Sequence, residues 1–262
     1  MKCKFCQSEV PKLVDAHITP RGLWRETRGS GHYVEALRID EKEFTKEFKQ
    51  AGLSDNTIVC LACEQRFSPY DSHGIRAILD TFTAKQIHRD QFGKAIAYVG
   101  CSTDYALFKL FVLSMLWRAS VSSLEYYEEI DLGQHEDTIR KMVENNDPGS
   151  EHDFPIVCFH QLGHKYPSTV HKPFRMRDDD GVNYCRLYLP HCFRVEIKVD
   201  ARPIREAYRP WVLKPGSPAM FILYQYIGSY EMKDIELGKI QVKRHLGLPL
   251  RTTYRNEKPV IL

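Results

Sequence analysis

No glycine-rich phosphate loop, no serine-centred nucleophile elbow and no dinucleotide fingerprint occurs in the 262 residues. The usual signatures of nucleotide-cofactor and serine-hydrolase chemistry are therefore lacking. Long apolar runs are lacking too. The longest, from Tyr105 to Trp117 (YALFKLFVLSMLW), is too short to cross a bilayer and carries Lys109, so no transmembrane segment is expected. There is no internal repeat and no low-complexity tract. Neither sign of charge dominates. The net charge is +3, so any affinity for nucleic acid has to come from a local patch. The opening MKCKFC has no apolar h-region and no small-residue cleavage site, which leads us to expect a protein of the reducing cytoplasm.

What remains is ordinary in bulk, with 43% apolar and 27% charged residues, as in a soluble globular protein of one or two domains. Its distinctive feature is a pair of Cys-x-x-Cys hooks, Cys3/Cys6 in KCKFCQ and Cys60/Cys63 in VCLACE. Two cysteines three positions apart suit a tight knuckle in which both sulfurs face one cation. Two such hooks supply the four thiolates of a closed tetrahedral zinc shell. The competing reading is two unrelated thiol pairs, or disulfides. The long gap between the hooks calls for an insertion, and residues 32–53 fit one. The other cysteines, Cys101, Cys158, Cys185 and Cys192, lie scattered in apolar contexts and read as small buried hydrophobes.

Periodicity predicts an α+β fold. Ile75, Ile78, Leu79 and Phe82 recur at helical spacing after the second hook, with Gly74 interrupting. Residues 94–99 read as a strand. Residues 104–127 read as a helix opened by Thr103 or Asp104 and apolar on nearly every face, hence buried. Residues 134–146 form an amphipathic helix stopped by Asp147, Pro148 and Gly149. Strands follow over 154–159, 184–189 and 193–199, with a further candidate at 219–228. In the third, Phe193, Val195, Ile197 and Val199 alternate with Arg194, Glu196 and Lys198, the pattern of a half-buried antiparallel strand. The expected organisation is a zinc-binding domain over 1–90 and an α+β domain over 91–262, the latter a central apolar helix with a mainly antiparallel sheet.

The order Cys-x-x-Cys, Ala16-His17-Ile18-x-Pro20, Asn56, Cys-x-x-Cys resembles the HNH endonuclease family in its zinc-hooked branch. It also resembles uncharacterised bacterial HNH-like proteins with a Cys-x-x-Cys-Glu segment. The likeness covers residues 1 to about 80. It implies a treble-clef domain of the ββα-metal type and a metal-dependent hydrolysis of phosphodiester bonds, by analogy in bacterial defence or mobile-element conflict. His17 maps onto the general base and Asn56 onto the residue that orients it, one position off the usual spacing. Glu64 falls where the family holds its catalytic ion, here Mg²⁺ or Mn²⁺. The family's acidic ligand before the histidine is replaced by Ala16, and Asp15 points to the opposite face of an extended strand. Asp71 or His73 in the following helix can supplement Glu64.

Arg21, Arg25 and Arg28 follow Pro20 with Trp24 among them. Arginines can clamp a phosphate bidentately and Trp24 can stack on a base. The alternative is a solvated loop with Trp24 tucked into the core. Two weaker constellations are Cys158, His160, His164 and His171, and the Asp178–Asp180 run before Gly181. The first reads as non-ligating and the second as a solvated hairpin loop. The rival of the nuclease reading is a catalytically inactive, zinc-stapled module that binds nucleic acid or protein, with His17 structural. In either case the C-terminal domain is free to select substrate, self-associate or bind a partner.

Overall fold

The computed structural model describes residues 1–24, 33–39, 44–50, 53–80, 86–100, 103–162 and 170–225. The chain opens in a knuckle closed by a bridge between Lys2 and Glu9. In it the Cys3 N–H donates to Ser8 O and the Gln7 N–H to Cys3 O, both at 3.0 Å. Gln7 takes the left-handed conformation (φ 62°) that turns the chain back. Strand β1 (Val14–His17) then pairs antiparallel with β4 (Ser54–Val59), and helix α1 (Leu61–Leu79) starts directly afterwards with Cys60 as its N-cap residue. Between them β2 (Tyr33–Ile39) and β3 (Phe44–Gln50) pair with each other as a separate two-stranded sheet, as the expected insertion requires.

Gly74 does not interrupt α1. It is buried within it, where a Cβ would sit 2.2–2.5 Å from three ring carbons of Phe111 on α2 (Tyr105–Val121). The glycine lets two helices approach more closely than any side chain would permit. Gly74→Ala would gain about 1 kcal/mol of helix propensity, whereas overpacking a filled core costs about 1–3 kcal/mol or more. The clash falls on a ring body and not a flexible tip, so the second effect wins. We expect Gly74→Ala to lower the thermal midpoint by several degrees. An unchanged or raised midpoint would mean that the helices separate freely.

Helix α2 is buried on almost every face, as its composition demands, and the Asp104 side chain caps it by accepting the Leu107 N–H at 2.9 Å. It ends at Val121, short of the expected residue 127. Ser122 and Ser123 are drawn off the helix by hydrogen bonds to the Asp55 carboxylate. Helix α3 (Glu136–Glu144) follows, burying Ile139 and Val143. Its Arg140 reaches back to the Phe5 carbonyl at 2.9 Å. None of the described helices is long and apolar enough to cross a membrane.

The remaining strands form one seven-stranded sheet. They are β5 (Gln86–Arg89), β6 (Ala95–Val99), β7 (Ile156–Leu162), β8 (Phe174–Arg177), β9 (Asn183–Leu189), β10 (Phe193–Lys198) and β11 (Met220–Gln225), in the order β5-β6-β11-β7-β10-β9-β8. Only the β11–β7 pair is parallel. The α+β class with a mostly antiparallel sheet is thus what the chain adopts. One expectation fails in β10, where all six residues are buried, including Arg194, Glu196 and Lys198. The face meant for solvent is covered by a 3-10 turn (Glu206–Trp211) and its flanks. Ile204, Tyr208 and Trp211 there pack on Val157, Phe159 and Val212.

One hydrophobic core runs from Cys3 and Phe5 through Phe67, Phe111 and Trp117 to Phe193 and Phe221. The expected division between residues 90 and 91 falls inside the β5–β6 hairpin, at the turn where Asp90 accepts the Phe92 and Lys94 N–H groups.

Candidate metal centre and histidine site

The knuckle and the start of α1 bring Cys3, Cys6, Cys60 and Cys63 together, with their sulfurs all within 4.8 Å of one another. Cys3 Sγ and Cys63 Sγ stand 3.7 Å apart. Four sulfurs at the usual zinc–sulfur distance in a tetrahedron are separated by about 3.8 Å, so the spacing fits a zinc ion and is far too long for a disulfide. The Cys60 N–H points at Cys3 Sγ at 3.4 Å, the kind of donor that steadies a thiolate. Burial pushes the Cys3 and Cys63 thiols above their ordinary value. Cys6 comes down to about 7 because hydrogen bonds from Ser8 outweigh its burial. Sulfurs enclosed like those of Cys3 and Cys63 ionise readily only against a cation. Behind them Phe5 packs edge-on against Phe67 of α1 and Trp117 of α2, both at 5.1 Å.

His17 ends β1, half-buried. Arg118 Nη1 on α2 donates to its main-chain carbonyl at 2.5 Å. The same guanidinium forks onto Asp71, Nη2 to Oδ1 at 2.8 Å and Nη1 to Oδ2 at 3.1 Å. Burial pushes the His17 imidazole below its ordinary value. The positive charges of Arg21 and Arg118 add to that, while Asp15 and Asp71 oppose it. A neutral imidazole at pH 7 is the form that accepts a proton. Burial raises both Glu64 and Asp71, in each case against the pull of Arg118. The second Glu64 oxygen, Oε2, is closed to solvent and has no hydrogen-bond partner.

The other expected residues divide. Ala16 is fully buried and Asp15 exposed on the opposite face, as strand alternation requires. Asn56 is exposed, and no hydrogen bond joins it to the His17 ring among the described residues. It sits at an irregularity where two steps along β1 match four along β4. Arg21 is exposed on a 3-10 turn (Arg21–Trp24). Trp24 is packed in the core with 8% of its surface exposed, which corrects the stacking role in favour of the alternative. Arg25 and Arg28 lie outside the described residues, as do His164 and Cys101. His73 accepts the Asp104 N–H at 3.2 Å and so helps open α2, away from any ligand role. His160 bonds Tyr98 OH at 2.9 Å and stacks on Phe193. Asp178, Asp179 and Asp180 all lie within 4.0 Å of Arg205.

Among the described residues the four cysteines are the one group of three or more such side chains placed to share a metal ion. Glu64 is not among the residues of that group. Sequence reasoning missed two residues that matter here. Arg118 looked like one more residue of an apolar helix. Asp55 looked like part of a turn, yet it is 3% exposed and binds Thr57, Ser122 and Ser123. Those bonds overcome its burial and hold its carboxyl down at about 2. No family model, curated protein or solved structure matches this chain.

Proposed function

We propose that this chain is an endonuclease of the HNH type, hydrolysing phosphodiester bonds of nucleic acid with His17 as general base. In this reading Cys3, Cys6, Cys60 and Cys63 hold a structural zinc in a treble-clef arrangement of knuckle, β1–β4 ribbon and α1. The observation that carries it is the placement of His17. It ends the strand that follows the first cysteine hook, half-buried, with the Arg118 guanidinium on its carbonyl and burial pushing its imidazole below the ordinary value. His17 takes the proton from the attacking water, and Arg21, exposed one turn further on, is free to contact a phosphate. A divalent ion such as Mg²⁺ or Mn²⁺, when bound, supplies neutralisation of charge on the phosphate. Mg²⁺ commonly reaches such sites on substrate oxygens and water with few protein ligands. A site of free thiolates suits a reducing compartment, and we place the protein in the cytoplasm. The seven-stranded sheet is left for substrate choice, self-association or a protein partner.

The rival is a zinc-stapled binding module without catalysis. Ala16 in place of an acidic ligand favours it. One experiment separates the two. Supercoiled plasmid, single-stranded DNA and RNA are incubated with the protein and with His17→Ala, with and without Mg²⁺ or Mn²⁺. Removing a general base typically costs about 10²–10⁴-fold in rate, so cutting by the wild type should fall by that factor in the variant. Gel shifts by both proteins with cutting by neither would establish the binding module instead.

A further inference from the structure

We propose that Arg118 is a positioning residue for His17, fixing the histidine and Asp71 relative to each other from a helix a hundred residues downstream. The inference rests on the reading of His17 as the base.

A guanidinium carries five N–H donors in a planar fork, and here all five are engaged. Nε donates to Ser114 O at 3.2 Å and Nη2 to Ser114 Oγ at 3.2 Å, which pins the group to its own helix. The remaining three bonds are the fork onto Asp71 and the contact to His17 O. One face lies over the Phe67 ring, 4.7 Å from its centroid. The group is 0% exposed. It therefore touches no substrate and acts only through what it holds.

What it holds is specific. Nη1 alone bridges the His17 carbonyl and the Asp71 carboxylate, so the two lie side by side at the distance one nitrogen can span. An edge strand ordinarily leaves its terminal polar groups to water, whereas in β1 Arg118 captures the carbonyl of the one residue that carries the imidazole. Enclosing an ion pair is costly, and apolar residues would pack these helices as well or better. The geometry at His17 and Asp71 is what the pair provides beyond packing. Lysine, a point charge with three donors, cannot reproduce the fork.

The test is the titration of the His17 ring followed by NMR in zinc-loaded protein, its signal assigned by its loss in His17→Gln. The groups acting on that ring are Asp15, Arg21, Asp71 and Arg118. Asp71→Asn keeps the side chain's shape but leaves Arg118 uncompensated, so the His17 midpoint should fall by about one pH unit. Arg118→Met should raise it by a similar amount, and Arg118→Lys should lie between Met and wild type. If the pair merely braces the helices, loosening moves both variants the same way, upward towards the ordinary histidine value. That result, or no movement in Asp71→Asn, overturns the proposal. The titration needs no substrate. A wild type that cuts nothing would defeat the nuclease reading while the opposite-signed shifts still decide the role of Arg118.

Discussion

Cys60→Ser is expected to release the zinc and unfold the N-terminal part of the protein. Metal analysis of freshly purified, reduced wild type should find about one zinc per chain, and the serine variant close to none. The effect should be large because the ion ties together two hooks that are distant in sequence. The first hook belongs to a ten-residue knuckle with few backbone bonds of its own, and the second hook lies beyond the β2–β3 insertion. Apparent zinc-binding free energies in structural sites run to about 10–16 kcal/mol, against a total stability of about 5–15 kcal/mol for a typical domain. Serine offers a hard oxygen at a site shaped for sulfur, and burial of Cys3 and Cys63 leaves their sulfurs poorly solvated without the ion. Thermal unfolding followed near Trp117 should lose its cooperative transition or shift it steeply downward. Wild-type protein without zinc, or a variant as stable as its parent, would contradict the metal centre outright.

Glu196→Ala should destabilise the protein by about 3–5 kcal/mol, the usual consequence of removing one partner from an enclosed ion pair. Glu196 is 1% exposed in the central strand β10, and its Oε1 accepts two bonds from Arg186, at 3.0 and 2.7 Å. Arg194 adds a third contact at 3.4 Å while its guanidinium lies 4.2 Å from the Phe159 ring centre and 4.3 Å from that of Tyr224. Alanine would take away the carboxylate that accepts two bonds from Arg186 in the sheet's covered face. Chemical denaturation reads the loss directly. A cost below about 1 kcal/mol, the range of exposed pairs, would mean that water reaches this network.

That prediction marks where the sequence stops being informative. The alternation in β10 reveals a strand and its two faces, because side chains alternate whatever covers them. Whether the second face meets water depends on residues 200–213, which carry no periodic signal. The two hooks were legible because Cys-x-x-Cys spacing fixes a local turn and four sulfurs share one chemistry. The insertion followed from the length between them. Helix α2 was legible as a buried helix, yet Lys109, Ser114 and Arg118 disappear in its apolar run. Nothing local marks Arg118 as the partner of Asp71, since the pairing is set by how closely Gly74 lets the helices approach. Trp24 next to three arginines suggested a nucleic-acid contact, but its ring belongs to the core. Asn56 kept its place in the order of motifs and is exposed next to an irregularity in the β1–β4 pairing.

The continuous core from Phe5 to Trp117 and onward also governs how this molecule can be dissected. A fragment cut after the β5–β6 turn would carry all four cysteines and His17, yet it would expose the apolar flank that α2 now covers and leave Asp71 without its counter-charge. Truncation, the customary shortcut for small zinc modules, would here yield a sticky polypeptide with a misaligned imidazole, so its inactivity would say nothing about the intact chain.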